Sequence, residues 1–262
     1  IKFQKICKVL VRNRNLRLKV PKNFEFFLKN KKINKISRKS KYLIFHLNNN
    51  SFLIIHLGMT GTIHLISKKN CRNTNVSFYG SSNLPTKHNH ILIFLKKYQF
   101  IYNDPRRFGF IKILKNKKNL AFFFNNIGPE PLNRKFKISY IFNYLKGKKK
   151  CIKSFLLDQK FVSGIGNIYA SEILYYSKIN PFKQAKKLSK IDIKKIKYFS
   201  NFVLNKAIKK GGSSIRNFKN VKGKSGNYQN EFKVYQRENL NCLNKSCYGK
   251  SRKKTNPTRS DF

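Results

Sequence analysis

Tryptophan is absent from the 262-residue chain, methionine occurs once, and Asp and Glu together number only nine. Against those nine acidic residues stand 59 Lys and Arg, which give a formal net charge of +50 at pH 7. An excess of that size is drawn to polyanions, nucleic acid first. The heavy use of Lys, Asn, Ile and Phe is also what an AT-rich genome imposes on permissive surface positions, so charge alone does not identify the partner.

Long apolar runs are also missing. Stretches such as Ser51–Gly58 and His90–Leu95 are too short and too interrupted to span a bilayer, and no signal-peptide pattern precedes them. The five cysteines, at positions 7, 71, 151, 242 and 247, are too scattered for a disulfide framework. The sequence therefore predicts a cytoplasmic protein of a reducing compartment, with no membrane partner.

The first part of the chain, to about residue 119, consists of short β-type runs separated by turn residues. The predicted strands are Lys41–Leu47, Phe52–Leu57, Gly58–Ile66, His90–Lys96 and Gln99–Asn103. The first two flank an Asn48–Asn50 cluster, which predicts a hairpin turn. Pro21–Lys29 has apolar residues at helical spacing and predicts one short helix. An antiparallel sandwich or barrel is the expected architecture.

The period changes after Gly128–Pro131. Helical periodicity is found at Ile138–Leu145, from Ile152 onward, at Ile168–Lys178 and at Lys190–Lys209. Gly211 and Gly212 predict the end of the last helix. Glycines, aromatic residues and two late cysteines from Ser213 onward predict a small β-rich end module.

The hexapeptide Asp104–Gly109 follows a predicted strand and forms a turn that begins with proline. It presents Arg106 and Arg107 beside the ring of Phe108, and a tip of this composition suits insertion into a nucleic-acid groove. A solvated surface turn is the other interpretation, and the hexapeptide alone does not decide between the two.

A glycine turn, Gly164–Asn167, stands directly before the helix predicted from Ile168. Glycines let the backbone approach a ligand, and the N–H groups at the start of a helix point at an anion such as phosphate. An ordinary helix start explains the same residues, so this motif also needs support from elsewhere in the chain.

That support comes from the order of the motifs along the chain. They are His56–Gly61, Asp104–Gly109, Gly128–Pro131, Leu157–Gln159 leading into Gly164–Glu172, Gly211–Phe218 and Val234–Tyr235. In this order they resemble the formamidopyrimidine-DNA glycosylase family, and the resemblance covers nearly the whole chain. Four of the nine acidic residues fall inside these motifs: Asp104, Glu130, Asp158 and Glu172.

The resemblance implies an α+β multidomain fold. It places an N-terminal antiparallel β-sandwich over residues 1–119, a central helix-two-turns-helix bundle over 131–212, and a small C-terminal β-hairpin module of the zinc-finger type over 213–262. Family members flip an oxidised purine, such as 8-oxoguanine or a formamidopyrimidine, out of duplex DNA, cut its glycosidic bond, and nick the abasic site by β,δ-elimination. The implied protein is a monomeric base-excision repair glycosylase and AP lyase, associated with the nucleoid.

Flipping a base costs a few kcal/mol of stacking, so protein side chains must fill the hole that it leaves. By resemblance, Met59, Arg106 and Phe108 fill it. Arg106 would pair with the orphaned cytosine and Phe108 would wedge into the stack. Core packing is the alternative role for Met59 and Phe108.

Catalytic and backbone-binding roles also follow from the resemblance. Lys41 matches the lysine of proton transfer in β-elimination, and Arg259 matches the arginine of phosphate binding and δ-elimination. Contacts to the DNA backbone, which set affinity and its salt dependence, match His88, Lys148 and Asn167. Arg216 stands in the loop that folds over the extruded base in the family, where lysine is commoner.

The sequence departs from the family pattern at both ends. The family's nucleophile is the N-terminal proline of a Pro-Glu-Leu-Pro-Glu segment, and neither that proline nor the next glutamate is present before Ile1. Cys242 and Cys247 match one pair of a four-cysteine zinc finger, with a wider spacing than usual. A structural zinc needs four ligands, and these two cysteines alone do not complete such a site. Two interpretations therefore stay open: the cysteines help to bind one zinc ion, or they are two free thiols. A fragment of a longer chain and a decayed gene both explain the missing segments.

Three other functions stay open. A catalytically inactive remnant that binds damaged DNA would keep salt-sensitive duplex binding through Arg106, Asn167 and Lys148. An endonuclease VIII-type glycosylase for oxidised pyrimidines shares the fold and the glycine turn, but lacks the hexapeptide at Asp104 as it stands here. A basic ribosomal or RNA-binding protein accounts for the charge but not for the ordered motifs.

Overall fold

A computed structural model describes residues 1–67, 73–75, 86–213, 226–244, 246–256 and 259–261. The chain divides into two compact units. The first is built on Ile1–Asn125, and the second on Asn126–Ser213 together with the described residues from 227 onward. Within this described part, no helix combines the length and the apolar character that crossing a bilayer requires.

The first unit contains two antiparallel sheets among its described residues. Its elements are β1 (Ile6–Val11), α1 (Phe24–Leu28), β2 (Ile33–Lys39), β3 (Tyr42–Leu47), β4 (Phe52–His56), β5 (Thr62–Ser67), β6 (Asn73–Asn75), β7 (Asn89–Leu95), β8 (Tyr98–Asn103), β9 (Phe110–Leu114) and α2 (Lys117–Phe124). The five-stranded sheet has the order β1-β7-β8-β5-β6, and the four-stranded sheet has the order β2-β3-β4-β9. This arrangement confirms the predicted antiparallel β architecture.

The hydrophobic core of this unit draws on both sheets. Phe45 of β3 and Phe100 of β8 meet edge to face, with ring centroids 5.8 Å apart. The apolar residues of these strands supply the buried face of each sheet, which is why short β-type runs between turn residues predicted them. Phe24 and Leu28 of α1 are also fully buried in this core, so the short helix predicted at Pro21–Lys29 is confirmed.

The hairpin predicted around Asn48–Asn50 is confirmed, because β3 pairs with β4 and Asn50 has a positive φ of 59°. The strand predicted at Gly58–Ile66 is wrong over its first four residues. These form a turn in which Gly58 has a φ of 62°, and the strand begins at Thr62. The sequence analysis did not predict helix α2. The side chain of Asn116 caps this helix by accepting the N–H of Asn119 at 2.8 Å.

The second unit is helical, with a short C-terminal hairpin. Its elements are α3 (Ile138–Leu145), α4 (Ile152–Leu157), α5 (Asn167–Ser177), α6 (Lys190–Lys209), β10 (Lys254–Asn256) and β11 (Arg259–Asp261). The helix α5 packs on both α4 and α6, and α6 also packs on α3. All four predicted helices are confirmed.

Local signals set the limits of α6. Ser189 and Asp192 form a reciprocal capping box at its start. At its end, Gly211 and Gly212 take positive φ values of 75° and 87°, where a glycine is the least strained residue. The division into three domains, over 1–119, 131–212 and 213–262, stays a prediction.

Candidate nucleic-acid interface

Asp104 is a fully buried carboxylate at the end of β8. It accepts three hydrogen bonds: from the Thr60 hydroxyl at 2.6 Å, from the Gly109 N–H at 2.8 Å and from the Tyr102 hydroxyl at 3.1 Å. A buried carboxylate without such donors would be strongly destabilising. Burial, followed by the charge of Asp104, raises the pKa of Tyr102, so this hydroxyl stays protonated as a donor. Asp104 therefore holds its own loop, 104–109, to the turn that contains Thr60.

Two glycines bring the same two loops into backbone contact. A Cβ on Gly58 would lie 2.6 Å from the Gly109 nitrogen, and a Cβ on Gly109 would lie 2.4 Å from the His56 carbonyl oxygen. Both separations are far shorter than a carbon atom tolerates, so these positions exclude any side chain. The 58–61 turn and the 104–109 loop are consequently packed backbone against backbone.

The two loops expose three side chains that suit insertion into a base stack. Met59 has 66% of its surface exposed and Phe108 has 44%, so both apolar side chains are available for contact. The guanidinium of Arg106 lies over the Phe108 ring, 4.3 Å from its centroid. We call Met59, Arg106 and Phe108 the wedge. Core packing, the alternative considered for Met59 and Phe108, does not fit their exposure.

A cationic cluster lies next to the wedge, around His56. The His56 ring stacks on Phe110, with centroids 5.6 Å apart, and its Nδ1 accepts the Gly58 N–H at 3.0 Å. An accepting Nδ1 leaves the ring proton on Nε2. Burial, then the charges of Arg17 and Lys41, lower the pKa of His56 to about 4, so the ring is neutral at physiological pH. Lys41 itself is exposed, in the tight turn between β2 and β3.

His88 supports the hexapeptide loop from a neighbouring turn. Its carbonyl accepts the Asp104 N–H at 3.1 Å, and its ring lies 6.4 Å from the ring of His90. The Nε2 of His90 donates to the Asp104 carbonyl at 2.8 Å, and burial lowers the pKa of His90. The structure thus places the predicted DNA-contacting His88 in the same loop cluster as the wedge.

In the second unit, the glycine turn precedes α5 as predicted. Gly164 has a φ of 95°, Gly166 occupies the N-cap position, and Asn167 is the first helical residue. The side chain of Gln159 spans this turn: its Oε1 accepts the Gly164 N–H at 2.8 Å, and its Nε2 donates to the Ile165 carbonyl at 3.2 Å. Gln159 therefore holds the backbone of the glycine turn directly before α5, and N–H groups at the start of a helix can bind an anion.

Lys148 lies in the same unit, in an exposed segment between α3 and α4. Its carbonyl accepts the Lys186 N–H at 2.9 Å, which ties the segment to the chain that follows α5. Two other predicted site residues are less fully described. Arg216 lies outside the described residues, and Arg259 is the first residue of β11, which pairs with β10.

Cys242 and Cys247 lie close together near the C-terminal half of α5. The Cys242 sulfur is 3.9 Å from the Tyr175 hydroxyl. Hydrogen bonds from the Asn244 backbone and then from Cys247 lower the pKa of Cys242. No cluster of three or more His, Cys, Asp or Glu is found in the described part of the chain. A structural zinc needs four ligands, and the described residues offer two candidates at this place, Cys242 and Cys247.

The sequence analysis did not identify several of these residues as members of a site. Thr60 and Asp104 were part of the motifs, but nothing in the sequence paired them across 44 positions. His56 began a motif, and Arg17 stood in a loop without any signal. Gln159 was recognised only as part of the approach to the glycine turn.

Comparisons with known proteins agree with this architecture. The protein-family model of the formamidopyrimidine-DNA glycosylase N-terminal domain matches residues 1–111. The protein-family model of the formamidopyrimidine-DNA glycosylase H2TH (helix-two-turns-helix) domain matches residues 127–219. A formamidopyrimidine-DNA glycosylase of Wolbachia pipientis (strain wPip) is 37% identical over 243 residues, 92% of this chain and 84% of the relative. One of Dinoroseobacter shibae is 35% identical over 261 residues, 99% of this chain and 90% of the relative.

Solved structures give the same result in three dimensions. A complex of a Lactococcus lactis FPG mutant with Fapy-dG-containing DNA has a TM-score of 0.86 and 32% identity, over all of this chain and 91% of the other. A complex of Lactococcus lactis Fpg with DNA containing an abasic site has a TM-score of 0.84 at the same identity and coverage. The two sheets and the H2TH helices are the architecture of one class of DNA glycosylases. The chain belongs to the formamidopyrimidine-DNA glycosylase family.

Proposed function

We propose that this chain recognises duplex DNA that contains an oxidised purine or an abasic site. In the cell it acts, as a monomer at the nucleoid, in base excision as a glycosylase with AP-lyase activity. The observation that carries the proposal is the wedge, whose three exposed side chains stand on two loops that Asp104 holds together. Side chains of this kind enter a base stack and occupy the space of an extruded nucleotide.

Within the wedge, the chemistry of each side chain suggests its role. The planar guanidinium of Arg106 can donate two parallel hydrogen bonds to the base left opposite the lesion, cytosine for an oxidised guanine. Phe108, on which Arg106 is stacked, can replace the lost base-base stacking. Met59 is flexible and apolar, so it can fill the remaining volume.

Backbone contacts would hold the duplex around the wedge. Lys41 and Lys148 offer cations to phosphates, His88 and Asn167 offer polar contacts, and the chain's net charge of +50 favours any such association. These contacts position the DNA without reading its sequence. We assign proton transfer in β-elimination to Lys41 and phosphate binding with δ-elimination to Arg259. Arg216 is assigned to the loop over the extruded base.

Zinc binding stays a prediction. Cys242 and Cys247 have the soft thiol chemistry that zinc accepts, but a structural site needs two ligands more than these residues supply.

Two measurements test the proposal. On the 262-residue chain, equilibrium binding compares a duplex that contains a tetrahydrofuran abasic analogue with the same duplex undamaged, and tighter binding to the first is expected. Borohydride trapping with an 8-oxoguanine duplex tests for a Schiff base, the covalent intermediate of the lyase step. Trapping requires the proline nucleophile that the family resemblance implies, so it is carried out on the protein as isolated from its native cell. Tight lesion binding without trapping would support the inactive damaged-DNA-binding alternative. Preferential trapping with dihydrouracil DNA would support the oxidised-pyrimidine alternative, and equal binding of both duplexes would contradict lesion recognition.

A further inference from the structure

One carboxylate connects the two loops of the wedge. The Oδ1 of Asp104 accepts from Thr60, while its Oδ2 accepts from the Gly109 N–H. Thr60 directly follows Met59 in the chain, and Gly109 directly follows Phe108. Each arm of the carboxylate is thus one residue away from a member of the wedge.

The Thr60 arm is the connection that crosses between the loops. Among the hydrogen bonds of the described residues, the bond from the Thr60 hydroxyl to Asp104 is the one that joins the 58–61 turn to the 104–109 loop. The other contact between them is the backbone packing at Gly58 and Gly109, which limits how close the loops come. Packing alone does not prevent the two loops from sliding along each other. A hydrogen bond to a buried charge does restrict such movement, because it is directional and short.

We propose that the hydrogen bond from Thr60 to Asp104 sets the position of Met59 relative to Arg106 and Phe108. Thr60 and Asp104 are then positioning residues for recognition of the base opposite the lesion, although neither is exposed enough to contact DNA. The inference rests on the proposed function of the wedge. Its physical basis is that a bidentate contact to a base edge tolerates displacements of only a few tenths of an ångström.

Two substitutions separate the hydroxyl of Thr60 from its shape. Thr60→Val keeps the side-chain volume and removes the donor, whereas Thr60→Ser keeps the donor and removes a methyl group. The readout is equilibrium binding to a tetrahydrofuran duplex with either cytosine or adenine opposite the analogue. We expect Thr60→Val to lower the preference for cytosine by about fivefold or more, the lower range for a bidentate base contact. Thr60→Ser should keep the preference of the unmodified protein.

A coupling measurement tests whether Thr60 acts through Arg106. In an Arg106→Ala background, the contact that reads the opposite base is already lost. We therefore expect Thr60→Val to produce no further change in the preference there. Independent effects of the two substitutions would overturn the inference, because a purely structural loss would add to the loss at Arg106.

The controls distinguish failure of this inference from failure of the proposed function. Affinity for an undamaged duplex should be the same in all Thr60 variants, since none changes the charge. If the unmodified protein prefers cytosine and Thr60→Val keeps that preference, the positioning role is overturned and the proposed function stands. If the unmodified protein has no preference for damaged over undamaged DNA, the proposed function itself fails. Should Thr60→Val not fold at the assay temperature, Thr60→Cys replaces it, with a weak donor and an expected intermediate preference.

Discussion

The carboxylate of Glu172, fully buried in α5, accepts the backbone N–H of Tyr235 at 2.9 Å, across 63 positions of sequence. It also accepts the N–H groups of Lys233 at 2.9 Å and Val234 at 3.0 Å. Three consecutive backbone donors thus find their acceptor in one side chain rather than in a neighbouring strand. Because backbone N–H groups need an acceptor when they leave water, Glu172 anchors this segment to α5.

Substitution of Glu172 by glutamine should destabilise the protein. The amide has the same size but carries no charge, and its NH2 group would face backbone donors. Loss of hydrogen bonds to a charged acceptor predicts a decrease of about 1.5–3 kcal/mol in the free energy of unfolding, measured in urea. The matched control is Glu238→Gln, which removes an exposed carboxylate 3.8 Å from Lys253 and should cost less than about 0.5 kcal/mol. Equal losses in the two variants would contradict the anchoring role.

Local sequence patterns predict the helices and strands of this protein, but they do not predict contacts between residues that are distant in the chain. Helix α6 and the turn at Gly58 show the difference. The limits of α6 follow from Ser189 before it and Gly211 after it, and its apolar spacing follows from the helical period. By contrast, the turn at Gly58 looked like the start of a strand, because its apolar neighbours continue the pattern of β5. Its conformation depends on backbone packing against Gly109, 51 positions away, which no local pattern encodes.

Arg106 and Arg107 are adjacent arginines in which only the first belongs to the wedge, and this allows a comparison at equal charge. Arg106→Ala should reduce the preference for cytosine opposite the lesion by about 1–3 kcal/mol, the value of a bidentate base contact. Arg107→Asn removes the same charge, and asparagine tolerates the positive φ of 58° at that position, so the preference should stay. Binding to duplexes with each of the four opposite bases gives both values. An equal loss in the two variants would assign the effect to charge rather than to base recognition.

Lys148 and Asn167 should affect DNA binding in different ways, because one is charged and the other is neutral. Lys148→Gln removes one cation, so the slope of the logarithm of the binding constant against the logarithm of salt concentration should fall by about 0.9. Asn167→Ala should weaken binding to damaged and undamaged duplexes alike and leave the slope unchanged. Titrations at several salt concentrations separate the two effects. A loss confined to damaged DNA in Asn167→Ala would contradict a backbone contact at this residue.

His56 should make stability depend on pH in a defined window. Its pKa is about 4 in the folded protein and near 6.5 when unfolded, so between these values the unfolded chain binds the additional proton. The contribution of neutral His56 to stability is therefore fully present above about pH 6.5 and is lost as the pH falls towards 4.

A His56→Asn variant tests this dependence, because the amide oxygen can still accept the Gly58 N–H but does not titrate. The unfolding free energy of the unmodified protein minus that of the variant should decrease from about pH 7 to about pH 4.5. Tyr42→Phe, a change in the neighbouring ring that removes no group titrating in this window, should show a constant difference. Urea unfolding at several pH values measures both, and a constant difference for His56→Asn would mean that folding does not lower the pKa of His56.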